Sequence, residues 1–305
     1  MGDIIIVKHL TKRFGNLRAV NNISFKVEKG ELFGFLGVNG AGKSTTINML
    51  CTLFPPTSGE VIINGMTLGK DNEAIKRHIG VVYQNNCLDD RLTVKENLML
   101  RGGLYETEER RLIRQLNNVC EILDLQDVLK RPFGKLSGGQ KRRCEIARAL
   151  MHTPEILFLD EPTTGLDPAT RKSVWETVSN LQKELNTTVF LTTHYMEEAA
   201  KANHIAILDQ GKLIEYGTPF SLKEEFASDQ LQLIPKDTEM ENLLAQIAGM
   251  GLRCKRKEER LAISIGSTMS AIELINTFAN RISGFEVVQG TMDDVFLNAT
   301  GGERA

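Results

Sequence analysis

The sequence predicts an α/β protein with a mixed β core, an antiparallel β subdomain and a helical subdomain, followed by a small α+β domain. Three short apolar runs, residues 31–36, 156–159 and 189–191, indicate strands that are buried on both faces of a parallel sheet. Alternating apolar residues near the N-terminus indicate a separate antiparallel sheet, and the composition changes after Pro219.

The antiparallel sheet is predicted from one alternating segment and one turn. Residues 23–28 alternate apolar and polar side chains and precede Lys29-Gly30, which is typical of a half-buried strand that ends in a turn. Within 61–68, Asn64 and Gly65 can supply the two positive φ angles that a type I′ turn requires. We therefore expect a β-hairpin over 61–68.

Residues from about 88 to 152 are predicted to form the helical subdomain. Leu112, Leu116, Val119 and Leu123 recur at the spacing of one helix face. A second helix is predicted after Ser137. It should end before Thr153-Pro154, because proline disfavours helical backbone at the residue before it.

The last 75 or so residues show the element order βαββαβ, which predicts a ferredoxin-like appendage. Thr238 to Glu241 fits a capping box that opens a helix. The predicted strands contain Leu231 and Leu233, 252–256, 261–265 and 285–288, and the second helix covers 271–279. We expect the domains to be residues 1–226 and 227–305.

Composition limits the possible partners. The chain has 305 residues and 37 Lys and Arg against 39 Asp and Glu, a net charge of −2, so a polyanion must be bound by a local site. Five scattered cysteines form no CxxC pair, which argues against a zinc site or a disulfide framework. The longest apolar patch, 32–38, is far shorter than the ~20 residues of a membrane span, so we expect the chain to act from the soluble side.

A phosphate-binding loop is predicted directly after the apolar run that ends at Leu36. The pattern G-x4-G-K-[ST] is matched by Gly37, Val38, Asn39, Gly40, Ala41, Gly42, Lys43, Ser44 and Thr45. The glycines let backbone N–H groups converge on phosphate oxygens, Lys43 can reach the β- and γ-phosphates, and Ser44 can hold Mg²⁺.

A second phosphate-sized site is predicted without a lysine of its own. Ser137 is a good N-cap for the helix that follows. Gly138 and Gly139 leave the N-terminal amides open to an anion, and Gln140 completes the string.

These two motifs, together with residues 156–167 and Thr192-Thr193-His194, resemble the nucleotide-binding subunits of ABC transporters over about residues 4–220. The resemblance implies that Asp160 is the Walker B carboxylate that helps hold Mg²⁺. It also implies that Glu161 is the catalytic carboxylate that polarises the attacking water.

The resemblance assigns four further residues. It implies that Gln84 senses the metal and the γ-phosphate, that His194 contacts the γ-phosphate, and that Asp167 is the D-loop aspartate. Phe14 matches the aromatic residue that stacks on adenine; the family more often has Tyr there, but the π-face is retained. A second departure is Asn203-His204, where relatives usually carry Asp-Arg, so the family's salt bridge cannot be assumed there.

The resemblance also implies partners. The chain has one copy of each phosphate site. The lysine-bearing loop of one subunit is expected to meet residues 137–140 of a second ABC ATPase subunit, giving a head-to-tail homodimer that encloses two Mg-ATP. An integral membrane permease on another chain is expected as well, with this chain peripheral to the cytoplasmic face of the cell membrane. Residues 83–98 and 292–301 are similar to the daunorubicin-resistance type, which exports drugs, lipids and polysaccharides.

Two alternatives stay open. An importer subunit can also carry a C-terminal domain, and a soluble ABC ATPase could act on ribosomes or DNA instead. Ribosomal members usually carry two nucleotide-binding domains and DNA-repair members carry long coiled coils, neither of which fits 305 residues. The basic cluster at 253–260 is interrupted by Glu258 and Glu259 and is interpreted as a solvated turn, so no nucleic acid partner is expected.

Overall fold

The computed structural model describes residues 2–266 and 268–301. The strands are β1 (Asp3–Phe14), β2 (Leu17–Glu28), β3 (Leu32–Leu36), β4 (Ser58–Ile63), β5 (Met66–Thr67), β6 (Ile79–Val82), β7 (Ile156–Asp160), β8 (Thr188–Thr193), β9 (His204–Asp209), β10 (Lys212–Gly217), β11 (Asp229–Pro235), β12 (Cys254–Lys257), β13 (Arg260–Ile265) and β14 (Ile282–Val288). The helices are α1 (Lys43–Leu50), α2 (Asn72–His78), α3 (Val94–Gly102), α4 (Glu109–Ile122), α5 (Gly138–Leu150), α6 (Pro168–Leu185), α7 (Met196–Ala199), α8 (Pro219–Phe226), α9 (Met240–Gly249), α10 (Ser270–Phe278) and α11 (Met292–Ala299). Within this described part, no helix combines the length and apolar character needed to cross a membrane.

The chain divides into two compact units, the first ending at Thr218 and the second beginning at Pro219. This division falls before α8, whereas the predicted boundary at 226/227 falls after it. The difference has a physical reason, because α8 packs against α11 in the second unit. An Asn298 side-chain amide on α11 also donates to the carbonyl oxygen of Phe226 at the end of α8.

The first unit contains an antiparallel sheet in the order β2-β1-β4-β5. The predicted hairpin is present, since β4 pairs with β5 and the turn residues Asn64 and Gly65 have φ angles of 49° and 77°. Its apolar face joins one core with the second sheet of this unit. Phe25 of β2, for example, stacks on Phe33 of β3 with ring centroids 5.6 Å apart.

The second sheet of the first unit has the order β10-β9-β3-β8-β7-β6. Its strands run parallel except for β10, which pairs with β9 in the antiparallel sense. All residues of β3, β7 and β8 are buried, as the continuous apolar runs predict. The carboxyl ends of these strands therefore meet at one edge of the sheet, where ligands bind in open parallel sheets.

The helical segment follows its predicted periodicity. Leu112, Leu116 and Val119 lie on the buried face of α4, and α5 ends before Thr153 and Pro154. Thr93 and Ser137 each cap a helix through a reciprocal capping box with the residue three positions later.

At Asn203-His204, where the sequence departs from the family pattern, both side chains have partners near the start of β3. His204 Nδ1 lies 2.7 Å from Oε2 of Glu31, a carboxylate that is 6% exposed. Asn203 Oδ1 accepts a hydrogen bond of 2.8 Å from the Leu32 N–H. Both contacts link the start of β9 to the start of β3.

The second unit has the element order βαββαβ from β11 to β14, as predicted, with α11 following. Its antiparallel sheet has the order β12-β13-β11-β14, and β11, β13, α9 and α10 share one apolar core. The ferredoxin-like assignment remains our interpretation of this order.

The predicted capping box at Thr238 is wrong. Thr238 has a φ of 72°, whereas an N-cap residue usually takes the β region, and α9 begins at Met240 with Glu239 as its N-cap. The start of the helix is shifted by one residue from the pattern, and no side chain caps it.

Candidate functional site

The loop from Gly37 to Gly42 joins the carboxyl end of β3 to the first turn of α1. Gly42 has a φ of 105°, and a Cβ at this position would lie 2.5 Å from the carbonyl oxygen of Ala19, so only glycine fits. Because Gly42 is the N-cap of α1, the first amides of that helix have no partner within the helix and face the loop. This is the geometry that binds phosphate.

Lys43 is the buried cation of this loop, with 4% of its surface exposed. Its Nζ donates to the carbonyl oxygens of Gly37 at 2.7 Å and Val38 at 3.1 Å, and lies 3.7 Å from Glu161 Oε1. Burial lowers the pKa of Lys43, while the nearby carboxylates of Glu161 and Asp160 act in the opposite direction. An anionic phosphate in the loop would add a partner for this charge.

Asp160 ends β7 and is 8% exposed. Its Oδ1 accepts from Thr192 Oγ1 at 2.6 Å and from Ser44 Oγ at 3.4 Å. The pair of Asp160 and Ser44 offers oxygen ligands, which Mg²⁺ prefers, and such sites usually add substrate phosphates and water. These residues therefore fit a Mg²⁺ ion that accompanies a nucleotide.

Glu161 is the point at which the predicted catalytic residues meet. Its Oε2 lies 3.4 Å from His194 Nδ1 and accepts from Gln84 Nε2 at 3.5 Å. The same oxygen accepts from Thr164 Oγ1 at 3.0 Å. The residues that end or follow β6, β7 and β8 are thus brought together around one carboxylate.

Phe14 lies beside the loop, in the same cleft. This cleft has a volume of about 540 Å³ and is lined by Phe14, the phosphate loop with Lys43 and Ser44, and Glu161. Phe14 is 49% exposed, and its ring meets that of Phe54 edge to face with centroids 5.8 Å apart. An exposed aromatic face at one end and phosphate-binding amides at the other match the two ends of a nucleotide.

The residues from Ser137 to Gln140 do not line this cleft. They open α5, where Ser137 Oγ accepts from the Gln140 N–H at 3.4 Å and Gln140 Oε1 accepts from the Ser137 N–H at 3.1 Å. Gly139 packs against Thr170, since a Cβ at this glycine would lie 2.6 Å from Thr170 Cγ2. The second phosphate-sized site is therefore separate from the first within one chain.

Asp167 lies beside that second site and caps α6. Its Oδ1 accepts from the N–H groups of Ala169 at 3.1 Å and Thr170 at 3.0 Å, and Oδ2 accepts from Thr170 Oγ1. Hydrogen bonds from Thr170, and to a lesser extent from Ala169, hold the pKa of Asp167 below its ordinary value. The carboxylate thus stays ionised, and its cap fixes the direction in which α6 leaves the loop.

Sequence reasoning missed two residues that fix the site. Thr192 donates to Asp160 through its hydroxyl, and its Oγ1 also accepts from the Glu161 N–H at 3.0 Å. Arg142 on α5 donates to the carbonyl oxygens of Tyr83 at 2.6 Å and Asp160 at 3.3 Å. Burial lowers the pKa of Arg142 to about 10, which leaves it charged at neutral pH. The Thr-Thr-His string contained the signal for Thr192, but no local pattern marks Arg142.

A buried carboxylate, Glu198 on α7, was also missed. Its two oxygens accept from Thr163 Oγ1 at 2.6 Å and Thr193 Oγ1 at 2.7 Å, and Arg171 Nε lies 3.8 Å away. Thr163 belongs to the segment between Glu161 and Asp167, and Thr193 precedes His194. Glu198 therefore ties together two loops that carry predicted catalytic residues.

Comparison with known proteins identifies the family of this chain. The ABC transporter family matches residues 20–164. The chain is 40% identical over 227 residues to the probable multidrug ABC transporter ATP-binding protein YbhF of Escherichia coli K12; the match covers 74% of this chain and 39% of that longer protein. It is 34% identical over 307 residues to the daunorubicin resistance ATP-binding protein DrrA3 of Streptomyces coeruleorubidus, covering 98% and 96% of the two chains.

Among solved structures, the fold is similar to that of the ATP-binding cassette MJ0796, solved as a dimer in a post-hydrolysis state bound to ADP and Pi. The TM-score is 0.63 at 28% sequence identity, over 70% of this chain and 98% of that one. The match to DrrA3 spans nearly the full length of both proteins, including the second unit. The chain belongs to the ATP-binding proteins of the ABC transporter family.

Proposed function

We propose that this chain hydrolyses Mg-ATP as the ATP-binding subunit of an exporter, acting on a membrane subunit encoded on another chain. The observation that carries the proposal is the convergence of Lys43, Gln84 and His194 on the carboxylate of Glu161 at the edge of one sheet. This arrangement combines a phosphate-binding cation with a carboxylate that can orient water, as phosphoryl transfer requires.

Each residue of the site has a separate role in the proposed reaction. Phe14 stacks on the adenine, the loop amides and Lys43 bind the phosphates, and His194 contacts the γ-phosphate. Glu161 polarises the attacking water, which must lie within hydrogen-bond reach of its carboxylate. Ser44, Asp160 and Gln84 would hold Mg²⁺, which when bound would neutralise charge on the phosphate oxygens.

We propose further that two copies assemble head to tail. Residues 137–140 lie outside the cleft of their own chain, and the N–H groups of Gly138 and Gly139, which have no partner within the helix, suit an anion supplied from elsewhere. In the dimer, each Ser137 would contact the γ-phosphate held by Lys43 of the other copy, and Asp167 would lie at the same junction. Closure would exclude water other than the nucleophile.

The direction of transport is proposed from the relatives, whose names refer to multidrug transport and daunorubicin resistance. The chain would then lie peripherally on the cytoplasmic face of the membrane. An importer subunit and a soluble ATPase acting on ribosomes or DNA are the alternatives.

The proposal is tested by expressing the chain with its candidate membrane subunit, then measuring ATP turnover and co-purification. We expect Mg-dependent turnover that Lys43→Ala abolishes, and recovery of both chains in one detergent complex. Recovery only with ribosomes or DNA would contradict the transporter assignment, and turnover unaffected by Lys43→Ala would contradict the site. ATP-dependent uptake of a labelled drug into inside-out vesicles distinguishes an exporter from an importer, because only an exporter accumulates the drug inside them.

A further inference from the structure

The second unit contains a cleft that the proposed ATP site does not use. It has a volume of about 710 Å³ and lies where β12, β13 and β11 approach α11. This volume is within the range of ~300–1,000 Å³ that is typical of small-molecule sites. The cleft is formed by residues of one compact unit alone.

Three cations of the basic cluster line this cleft: Arg253, Lys255 and Lys257. Within the described part of the chain, residues 2–266 and 268–301, the side chains of these three residues form no hydrogen bond and no ion pair. Lys255 and Lys257 are two positions apart on a strand, so they project from the same face. No ion pair with a carboxylate of the described residues offsets their mutual repulsion.

The other cations of the same hairpin are neutralised. Arg256 NH1 lies 2.9 Å from Glu241 Oε1, and Arg260 NH1 lies 2.8 Å from Glu286 Oε2. Neither arginine lines the cleft. The basic cluster, interpreted from sequence as a solvated turn, is therefore divided into an ion-paired set and a set that faces a cavity.

Neutral polar groups complete the lining. Gln230 and Ser264 are directly paired across β11 and β13, and both border the cleft. Among the described residues that line the cleft, Asp294 is the one acidic side chain, and its Oδ2 accepts from the Thr291 N–H at 2.9 Å and the Thr291 Oγ1 at 2.7 Å. The cations thus outnumber the carboxylate, which is already held in a helix cap.

We propose that this cleft binds a small polyanion that carries at least two phosphate or carboxylate groups. Arg253, Lys255 and Lys257 would neutralise the anionic groups through charge-assisted hydrogen bonds, which are among the stronger polar contacts. Ser264 and Gln230 would donate to the remaining oxygens, and the apolar side chain of Leu252 would contact a carbon skeleton. The proposal is independent of ATP hydrolysis.

The test uses tripolyphosphate as the probe and the full chain carrying Lys43→Ala, so that the phosphate loop contributes little binding. Isothermal titration at low salt compares this chain with one that also carries Lys255→Gln and Lys257→Gln. The matched control carries Arg256→Gln and Arg260→Gln instead, which makes the same change in net charge on the same hairpin. We expect the lysine pair to weaken binding about tenfold or more, and the arginine pair to weaken it less than about threefold.

Equal losses in the two double variants would overturn the proposal, because they would indicate attraction to overall charge alone. No binding by the Lys43→Ala chain would overturn it as well. Thermal unfolding of each variant confirms its fold. The titration is repeated in chains that keep Lys43, with saturating ADP to occupy the phosphate loop. A lipid headgroup with two phosphates has the same chemistry, so flotation with vesicles that contain cardiolipin is compared. Lysine-dependent binding to tripolyphosphate alone indicates a free ligand, and lysine-dependent flotation indicates a lipid.

Discussion

Glu161 has a φ of 46°, a left-handed conformation that costs a non-glycine residue about 1–3 kcal/mol. Its N–H donates to the Thr192 carbonyl oxygen at 3.2 Å and to Thr192 Oγ1 at 3.0 Å, and these contacts hold the backbone in place. The sharp turn brings its carboxylate to His194 and Lys43 rather than continuing β7. Such strain is commonly stored at functional sites, which supports a chemical role for this residue.

Replacing Glu161 with Gln should separate ATP binding from turnover. The amide keeps the size of the side chain but is a far weaker base, so we expect turnover to fall about 10²-fold or more. ATP-dependent dimerisation should persist, because the phosphate loop and residues 137–140 are unchanged. Phosphate release and size-exclusion chromatography with ATP measure the two effects.

The matched control is Glu73→Gln, at an exposed position on α2 where Glu73 pairs with Lys76. It should leave both measurements unchanged. Turnover at the wild-type rate in Glu161→Gln would refute the proposed base.

His152 should make stability depend on pH. Its Nε2 contacts the Ile79 carbonyl oxygen at 2.9 Å, and its Nδ1 is buried without a partner among the described residues. Burial lowers the pKa of His152, partly offset by the Ile79 hydrogen bond, while Arg101 and Arg148 lower it further. The folded state therefore binds this proton less readily than the unfolded state, so the contribution of His152 to folding becomes less favourable as the pH falls below about 6.5.

Urea denaturation at pH 7 and pH 5 tests this sign. We expect His152→Gln to reduce the loss of unfolding free energy between the two pH values, whatever it does to stability at pH 7. His9→Gln, at an exposed histidine, controls for the loss of an imidazole elsewhere. An unchanged difference between the two pH values in His152→Gln would contradict the prediction.

At the scale of the elements, Glu198 connects the segments that follow β7 and β8. Glu198→Ala would leave the hydroxyls of Thr163 and Thr193 buried without an acceptor, so we expect a loss of about 2–4 kcal/mol in unfolding free energy. Because His194 directly follows Thr193, we also expect turnover to fall about 10- to 100-fold, as small displacements at a catalytic site can cause.

Two comparisons separate positioning from stability in this variant. Glu197→Ala changes the exposed neighbour on the same short helix and should alter neither property. Turnover per folded molecule of Glu198→Ala, measured well below its melting temperature, should stay reduced. Full turnover in the folded fraction would show that Glu198 only stabilises the protein.

The sequence predicts the elements well where one local rule acts alone. The buried strands β3, β7 and β8 follow from apolar runs, and the hairpin at Asn64-Gly65 follows from its two positive φ angles. The predicted capping box fails at Thr238, although the residue types match, because Thr238 has a φ of 72° and an N-cap residue usually takes the β region. Contacts such as Arg142 with Asp160, or Glu198 with Thr163, join distant segments and have no local signal.

At the scale of the whole molecule, the separation of the two phosphate-sized sites allows a test of which chains contribute to each ATP site. Lys43 lies in the cleft, and Ser137 lies outside it on the N-terminus of α5. If the sites combine across two copies, a dimer of one Lys43→Ala chain and one Ser137→Arg chain contains one intact site and one doubly defective site. If each chain instead supplied both parts of its own site, every site in that mixed dimer would carry one defect.

Mixing the two inactive variants therefore tests the head-to-tail dimer. Each variant alone should show little ATP turnover, since both of its sites are defective. An equimolar mixture should regain turnover, to about a quarter of the wild-type rate if chains exchange randomly and sites act independently. The control mixes Lys43→Ala with Glu161→Gln: both residues belong to the same half-site, so every site in this mixed dimer is defective and no turnover should return. Two affinity tags verify that mixed dimers form. If turnover then does not recover in the first mixture, the result contradicts head-to-tail sharing between independent sites. Recovery in the control mixture would contradict the assignment of Lys43 and Glu161 to one half-site.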